Sequence, residues 1–385
     1  MCHFNENSSR PNLPLSIPLI EPIKMSGETV CFANTVLLEL KDKFGKTGWG
    51  EASAAPLMTG ETIESLSANI KYLASNIKDL TWDNPDKYGQ QLGKLLYANS
   101  SAKSCVEMAL LDLYAQEKGM PLWRYLRKKR GFAEASVPKP LPLLRMLGGS
   151  MDKEITDAKR LHDEGYRYWK VKVGLLPVDD DLNRVETLCN LLKSDTVSVD
   201  ANGAMELEDA IRFCTSPKVR QLSFAEQLIP SNLPLSNFLE LKNRSPIPIG
   251  LDESIHGIDE LERFIAAGVL DGASLKLIKT GGLLGALDCS NLLEKHGLKI
   301  NLACKVAETS VSAAATAALG FAINELCWGF SMSNQYLKFD VCDSPLRAKN
   351  GHLEYRQLES VGLGVEPDIA VLRECLTRSL PSIEC

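Results

Sequence analysis

The sequence lacks the features that mark a membrane or secreted protein. No apolar run approaches the roughly 20 residues that span a bilayer, and the N-terminal stretch has no basic region ahead of its proline-broken apolar residues. We therefore expect neither a transmembrane helix nor a signal peptide. The eleven cysteines form no CxxC pair, which argues against a zinc site or a disulfide framework and suits reduced thiols in the cytoplasm.

An excess of basic residues is also absent. The formal net charge is −6, so neither nucleic acid nor an anionic membrane is an expected partner. With 385 residues, 44% of them hydrophobic, the chain can bury a large core. These numbers favour a globular protein whose partner is a small molecule.

The order of the predicted elements divides the chain into three parts. Residues 12–55 alternate apolar and polar residues as strands do, and the apolar spacing of residues 63–119 is helical, so residues 1–135 should form an α+β domain. In residues 136–345, at least seven short apolar runs alternate with amphipathic helices, which is typical of a parallel TIM-type barrel. Residues 346–385 are expected to pack back on the first part.

Ionisable residues close successive predicted barrel strands at intervals of 24 to 28 residues. In a parallel barrel these positions share the C-terminal mouth, where catalytic groups lie. One such residue could simply cap a helix, but five in a single register favour a functional site. The five are Lys172, Asp200, Glu226, Asp252 and Lys276.

The three acidic members, Asp200, Glu226 and Asp252, predict a metal site. Carboxylates are hard oxygen donors, and none of the five strand-end positions is a histidine or cysteine that would favour zinc. Three carboxylates that leave open positions suit Mg²⁺, or Mn²⁺, completed by water and substrate oxygens. A divalent cation that holds a substrate carboxylate stabilises the enediolate formed when the α-proton is removed.

The lysines are predicted to move that proton. Lys170 and Lys172 stand one residue apart in the predicted strand YWKVKVG, residues 168–174, so their side chains face the same way. A like charge and a nearby metal would lower the pKa of Lys172 towards neutrality, as a catalytic base requires. Lys172 would then act on one face of the substrate and Lys276 on the other.

Five motifs make the sequence resemble the enolase superfamily, and within it the muconate-lactonizing subgroup. They are KVK at 170–172, VDANGA at 199–204, FAEQ at 224–227, LDES at 251–254 and SLKLIKTGG at 274–282. Two further stretches, GWGEASAAP and VGLGV, resemble the capping domain and the C-terminal segment of that family. The resemblance implies a modified TIM barrel, (β/α)7β, with an α+β cap built from both chain ends, Mg²⁺ dependence and a homo-oligomer.

Residues next to the five strand ends are candidates for supporting roles. Asn202 would orient a ligand or a metal-bound water, or else cap the next helix. Glu253 is expected to lie next to the metal ligands without binding the metal itself. Lys279 competes with Lys276 as the sixth-strand base, and the spacing from Asp252 favours Lys276.

Substrate contacts are indicated less specifically. Dipeptide epimerases of this subgroup bind the substrate amino group with a DxD motif; here the stretch FDVCDSPL, 339–346, keeps Asp343 but has Val341 in place of the first acid. Lys305 would bind a second carboxylate or pair with Glu308. Trp328 would stack on a cationic or N-methylated amine, or fill the barrel core.

Two loops of the cap, residues 26–34 and 57–62, are expected to contribute specificity. Both contain glycine next to glutamate and threonine, which suits a mobile lid but also a plain turn.

The sequence therefore predicts a Mg²⁺-dependent racemase or epimerase acting on a small carboxylate, namely an amino-acid derivative, a dipeptide, or a proline- or betaine-type acid. The alternative on the same scaffold is a cycloisomerase or a dehydratase, performing muconate-type lactonisation or hydroxyproline-type β-elimination. There, one lysine would abstract the proton and the other would assist the leaving group. A non-catalytic binding protein is a third interpretation, which the intact set of lysines and carboxylates disfavours.

Overall fold

The computed structural model describes residues 12–25, 28–77 and 83–377. The remaining residues of the predicted parts 1–135 and 346–385, and residues 26 and 27 of the first predicted specificity loop, lie outside this range. The chain begins with an antiparallel sheet in the order β1-β2-β3. Its strands are β1 (Asn12–Met25), β2 (Glu28–Lys41) and β3 (Thr47–Ser53).

Four α-helices follow in the described part of the cap. They are α1 (Ile63–Asn76), α2 (Tyr88–Leu95), α3 (Ser100–Glu117) and α4 (Leu122–Lys129). The sequence predicts α3 to be amphipathic, but every residue from Ser104 to Leu113 is buried. The reason is that α3 lies between β3 on one side and the barrel on the other. Gly50 permits this close packing, because a Cβ there would lie 2.0 Å from the carbonyl oxygen of Cys105.

Eight parallel strands form the second unit, in the order β12-β11-β10-β9-β8-β7-β6-β5. A parallel bridge between Leu143 and Phe330 brings the first and last strands together, so the sheet closes into a barrel. The strands are β5 (Leu144–Leu147), β6 (Tyr168–Lys172), β7 (Thr196–Asp200), β8 (Phe224–Glu226), β9 (Ile249–Leu251), β10 (Gly272–Leu275), β11 (Lys299–Ala303) and β12 (Phe330–Ser331).

Helices connect these strands and surround the barrel. They are α5 (Met151–Asp163), α6 (Val178–Leu191), α7 (Leu207–Thr215), α8 (Leu235–Arg244), α9 (Ile258–Ala266), α10 (Leu277–Thr280), α11 (Leu283–Lys295) and α12 (Ser310–Gly320). Every residue of α12 is buried, because β3 and α4 of the cap cover it. None of the helices in the described ranges is long and apolar enough to cross a membrane.

The C-terminal segment returns to the cap. Strand β13 (His352–Leu353) pairs with β4 (Leu141–Pro142), and α13 (Ile369–Thr377) packs beside β1. In the same segment, the backbone N–H of Leu363 donates to Asp112 of α3 at 2.9 Å. The structure thus confirms the predicted fold class, a modified TIM barrel with a cap built from both ends of the chain.

Candidate active site

The register of the parallel strands brings the five predicted strand-end residues to one mouth of the barrel. Lys172 pairs with Asp200, and Asp200 pairs with Glu226 on the next strand. Asp252 directly follows β9, and Lys276 directly follows β10. Because parallel strands end on the same side, all five side chains belong to the C-terminal face.

A cavity of about 190 Å³ lies at this mouth, between the barrel and the cap. The cap contributes Met25, Glu28, Leu57 and Met58 to its lining, so both predicted specificity loops or their neighbours face it. The ionisable and amide side chains that the barrel contributes are Lys170, Lys172, Asp200, Asn202, Asp252, Glu253, Lys276 and Lys305.

Lys172 is held at the cavity by two oxygens. Its ammonium donates to Asp200 Oδ2 and to Asn202 Oδ1, each at 2.6 Å. The Asn202 amide in turn donates to Glu253 Oε1 at 2.9 Å. Asn202 does not cap the next helix, since α7 begins only at Leu207; it links Lys172 to Glu253.

Lys170 lies between two of the carboxylates. Its Nζ is 2.5 Å from Glu226 Oε2 and 4.0 Å from Asp200 Oδ2. Burial lowers the pKa of Lys170, but the charges of Glu226 and Asp200 outweigh it and raise that pKa above its usual value. Lys170 is therefore a buried cation next to Lys172, as the sequence predicts. Burial also raises the pKa of Glu226 to about 7, although Lys170 opposes this rise.

Asp252 is held by two lysines, one at each oxygen of its carboxylate. The ammonium of Lys276 contacts Oδ2, and that of Lys279 contacts Oδ1. Burial opposes the ionisation of Asp252, but the two positive charges hold its pKa well below the usual range. Lys276 lines the cavity, whereas the side chain of Lys279 is fully buried and also donates to the carbonyl of Ser274 at 3.1 Å. This placement favours Lys276 as the lysine that faces a substrate.

Replacing Lys279 with methionine is expected to lower the free energy of unfolding by about 3–5 kcal/mol, the usual cost of removing one partner of a buried ion pair. Urea denaturation measures this change. Lys295→Met, at an exposed position near the end of α11, is the matched control and should shift stability by no more than about 0.5 kcal/mol. An equal, small effect of both variants would contradict the structural role of Lys279.

Sequence reasoning missed Gln227, which shapes the loop after β9. Its Oε1 accepts the backbone N–H groups of Asp252 and Ser254 at 3.0 and 3.2 Å. Its φ of 38° is uncommon for a residue other than glycine. The only signal in the sequence is its position directly after Glu226 in FAEQ.

The chemistry of the donor set fits a hard divalent cation. Asp200, Glu226 and Asp252 supply only oxygen donors, and both Glu226 Oε1 and Glu253 Oε2 are buried without a hydrogen-bond partner. Buried carboxylate oxygens of this kind need a positive partner. Within the described ranges, no group of three or more His, Cys, Asp or Glu side chains lies close enough together to hold a metal ion as the side chains stand. Instead, the ammonium groups of Lys170, Lys172 and Lys276 lie against the three carboxylates.

Trp328 lies in the barrel core and does not line the cavity. Its ring stacks on Phe224, with centroids 4.0 Å apart and planes at 11°. It also fills the space left by Gly250 and Gly272, which have no side chains. Of the two alternatives predicted for Trp328, the structure shows the barrel core and not the contact with a substrate amine.

Replacing Gly272 with alanine should destabilise the barrel by about 1–3 kcal/mol, the typical cost of overpacking a core. A Cβ there would lie 2.4 Å from the Lys299 carbonyl oxygen and 2.5 Å from the Trp328 ring. Gly93→Ala in α2 is the control, because a Cβ there meets nothing within 4 Å. Since alanine favours helix more than glycine does, thermal denaturation should show Gly93→Ala unchanged or stabilised. A Gly272→Ala variant as stable as the parent would contradict this packing.

Asp343 also lies outside the cavity lining. Its side chain is exposed, and a hydrogen bond with Asp368 raises the pKa of Asp343. The neighbouring acid Asp340 is turned towards α12, where its Oδ2 accepts from the Ser310 hydroxyl at 2.7 Å. The DxD-like stretch thus supports the start of a helix, and the expectation that Asp343 contacts substrate is corrected.

Lys305 lines the cavity, but it does not pair with Glu308. Its ammonium is 3.6 Å from Oε1 of Glu28, which belongs to the cap. The carboxyl of Glu308 instead accepts the backbone N–H of Lys305 at 3.1 Å. Glu28 lies in the first predicted specificity loop, but the sequence did not indicate its contact with Lys305.

The family assignment follows from comparison with known proteins. Residues 14–126 match the N-terminal domain of mandelate racemase / muconate lactonizing enzyme, and residues 153–371 match an enolase C-terminal domain-like family model. The chain therefore belongs to the mandelate racemase/muconate lactonizing enzyme family of the enolase superfamily, which confirms the resemblance seen in the motifs. It is an enzyme of that superfamily.

Similar proteins carry out different reactions. L-Ala-D/L-Glu epimerase of Clostridium acetobutylicum is 28% identical over 306 residues, which cover 78% of this chain and 83% of the relative. o-Succinylbenzoate synthase of Bacillus subtilis is 28% identical over 94% of this chain and 95% of its own. Muconate lactonizing enzyme from Pseudomonas fluorescens, complexed with muconolactone, superposes with a TM-score of 0.87 and 26% identity, over 94% and 97% of the two chains. The isomerase class predicted from the sequence agrees with the epimerase and the lactonizing enzyme.

Proposed function

We propose that this protein is a Mg²⁺-dependent racemase or epimerase that removes and returns the α-proton of a small carboxylate. The proposal rests on the placement of two lysines. Lys172 and Lys276 line one cavity from the ends of β6 and β10, and the strands between them end at three carboxylates. The carboxylates are Asp200, Glu226 and Asp252.

These residues have separate tasks in the proposed reaction. Mg²⁺, held by the three carboxylates, would stabilise the negative charge that develops on the substrate carboxylate. Lys172 Nζ removes the α-proton from one face, and Lys276 Nζ delivers a proton to the opposite face. Asn202 keeps Lys172 directed at the cavity, and the buried Lys279 forms an ion pair with Asp252.

Proton NMR in D₂O with Mg²⁺ tests this proposal. Pools of dipeptides, N-substituted amino acids and proline derivatives are screened for loss of the α-proton signal. The substrate should lose this signal from both enantiomers, because each lysine exchanges its protons with solvent. Turnover with a retained α-proton signal would contradict the proposal.

A second candidate function uses the same residues for cycloisomerisation or β-elimination. It is supported by the similarity to muconate lactonizing enzyme and to o-succinylbenzoate synthase over almost the whole chain. The two lysines also have different surroundings. Lys172 contacts the side-chain amide of Asn202, whereas Lys276 shares its partner Asp252 with Lys279. In the NMR screen, this function would give exchange from one enantiomer together with new vinyl or lactone signals.

A further inference from the structure

Lys305 brings a positive charge into the cavity that the proton-transfer chemistry does not use. It follows β11, and its ammonium is nearly buried, with 10% of the side chain exposed. Within the described ranges, its ammonium donates one hydrogen bond to the backbone, to the Val306 carbonyl at 3.3 Å. An ammonium has three donors, and among the described residues this buried cation has only this long hydrogen bond and the more distant Glu28 carboxylate as partners.

Neither neighbouring acid holds Lys305 firmly. Glu28 Oε1 is 3.6 Å away, beyond ordinary hydrogen-bond length, and the Glu28 side chain is 35% exposed, so it can turn towards solvent. Burial raises the pKa of Glu308 to about 8, with Glu51 adding to the rise. This shift favours the neutral form of Glu308, so Glu308 is a weak partner for the charge of Lys305.

We propose that Lys305 binds a second anionic group of the substrate, so that the enzyme acts on acids with two negative charges. The reacting carboxylate lies at the Lys172–Lys276 centre, and a distal carboxylate displaces Glu28 from Lys305. This inference rests on the proposed function, since it names the substrate class of the same site.

The rest of the cavity suits a hydrocarbon link between two charged ends. Its apolar lining consists of Met25, Met58, Leu144 and Met146 among others. Burial lowers the pKa of Lys305, and the charge of Glu28 opposes this decrease. A further negative charge near the ammonium would therefore stabilise its protonated form.

Isothermal titration of the full-length, Mg²⁺-loaded protein with matched acid and amide pairs tests the inference. The probes are N-acetyl-L-aspartate against N-acetyl-L-asparagine, and N-acetyl-L-glutamate against N-acetyl-L-glutamine. Within each pair the size is equal and the charge differs by one. The acid should bind about 10- to 100-fold more tightly than the amide in at least one pair, the range expected for a hydrogen bond to a charged group.

Two substitutions at Lys305 separate charge from shape. Lys305→Met should abolish the preference for the acid, and Lys305→Arg should retain it. Glu28→Gln should strengthen binding of the acid, because it removes the carboxylate that competes for Lys305. If the ion pair between Lys305 and Glu28 only joined the cap to the barrel, Glu28→Gln would not strengthen binding of the acid.

Three results would overturn the inference. They are the absence of a preference for the acid in either pair, a preference that survives Lys305→Met, and weaker acid binding in Glu28→Gln. Because the readout is equilibrium binding, it is independent of turnover. Absence of α-proton exchange with an intact, Lys305-dependent preference would count against the proposed function instead.

Discussion

Replacing Lys276 with methionine is expected to stop racemisation while solvent exchange continues from the Lys172 face. Removal of a general acid–base group lowers turnover by about 10²–10⁴-fold. Lys172 keeps its own partners, Asp200 and Asn202, which do not contact Lys276. Proton NMR in D₂O, run separately from each enantiomer, should show loss of the α-proton signal from one enantiomer only. Lys172→Met should show exchange from the other.

The control for Lys276→Met keeps the positive charge beside Asp252. Lys276→Arg preserves a cation for the ion pair, but a guanidinium does not lose its proton in a protein, so it cannot act as the base. Lys276→Arg should therefore fold like the parent and lack turnover. Exchange from both enantiomers in folded Lys276→Met, or from neither, would contradict the assignment of one lysine to each face.

Replacing Glu226 with glutamine is expected to abolish activity by weakening Mg²⁺ binding. Glu226 is buried between the strands that carry the other two acids, and the amide keeps its shape while removing its charge. Changes outside the ligand shell weaken metal binding by about 10–100-fold, and loss of a ligand should exceed this range. Titration calorimetry with Mg²⁺ measures the effect directly.

Glu240→Gln in α8 is the control for this loss. Glu240 forms a surface ion pair with Arg244 and does not line the cavity, so Glu240→Gln should leave Mg²⁺ binding unchanged. Mg²⁺ binding by Glu226→Gln with the affinity of the parent would exclude Glu226 as a ligand.

The barrel and the grouping of the five strand-end residues could be predicted from the sequence because both follow from periodicity. Strands at regular intervals form parallel neighbours, and parallel neighbours end on one face. Lys172, Asp200 and Glu226 lie in direct register for that reason.

The depth of a side chain in the barrel could not be predicted in this way. Trp328 lies in the core because Gly250 and Gly272, on two other strands, leave room for its ring. Glu28 meets Lys305 only because the cap closes over the barrel mouth. Helix α3 is buried all round for a similar reason, since it lies between two layers that are distant in sequence. Contacts of this kind depend on tertiary packing, and no local pattern encodes them.

Deuterium incorporation by the unmodified enzyme tests the central claim most directly. Each enantiomer of the substrate is incubated separately in D₂O with Mg²⁺, and the α-carbon of the product is examined by NMR. Two lysines on opposite faces predict that either enantiomer gives product carrying deuterium at that carbon. Isomerised product that keeps its original α-proton would contradict the account, because a single group would then have carried the proton from one face to the other.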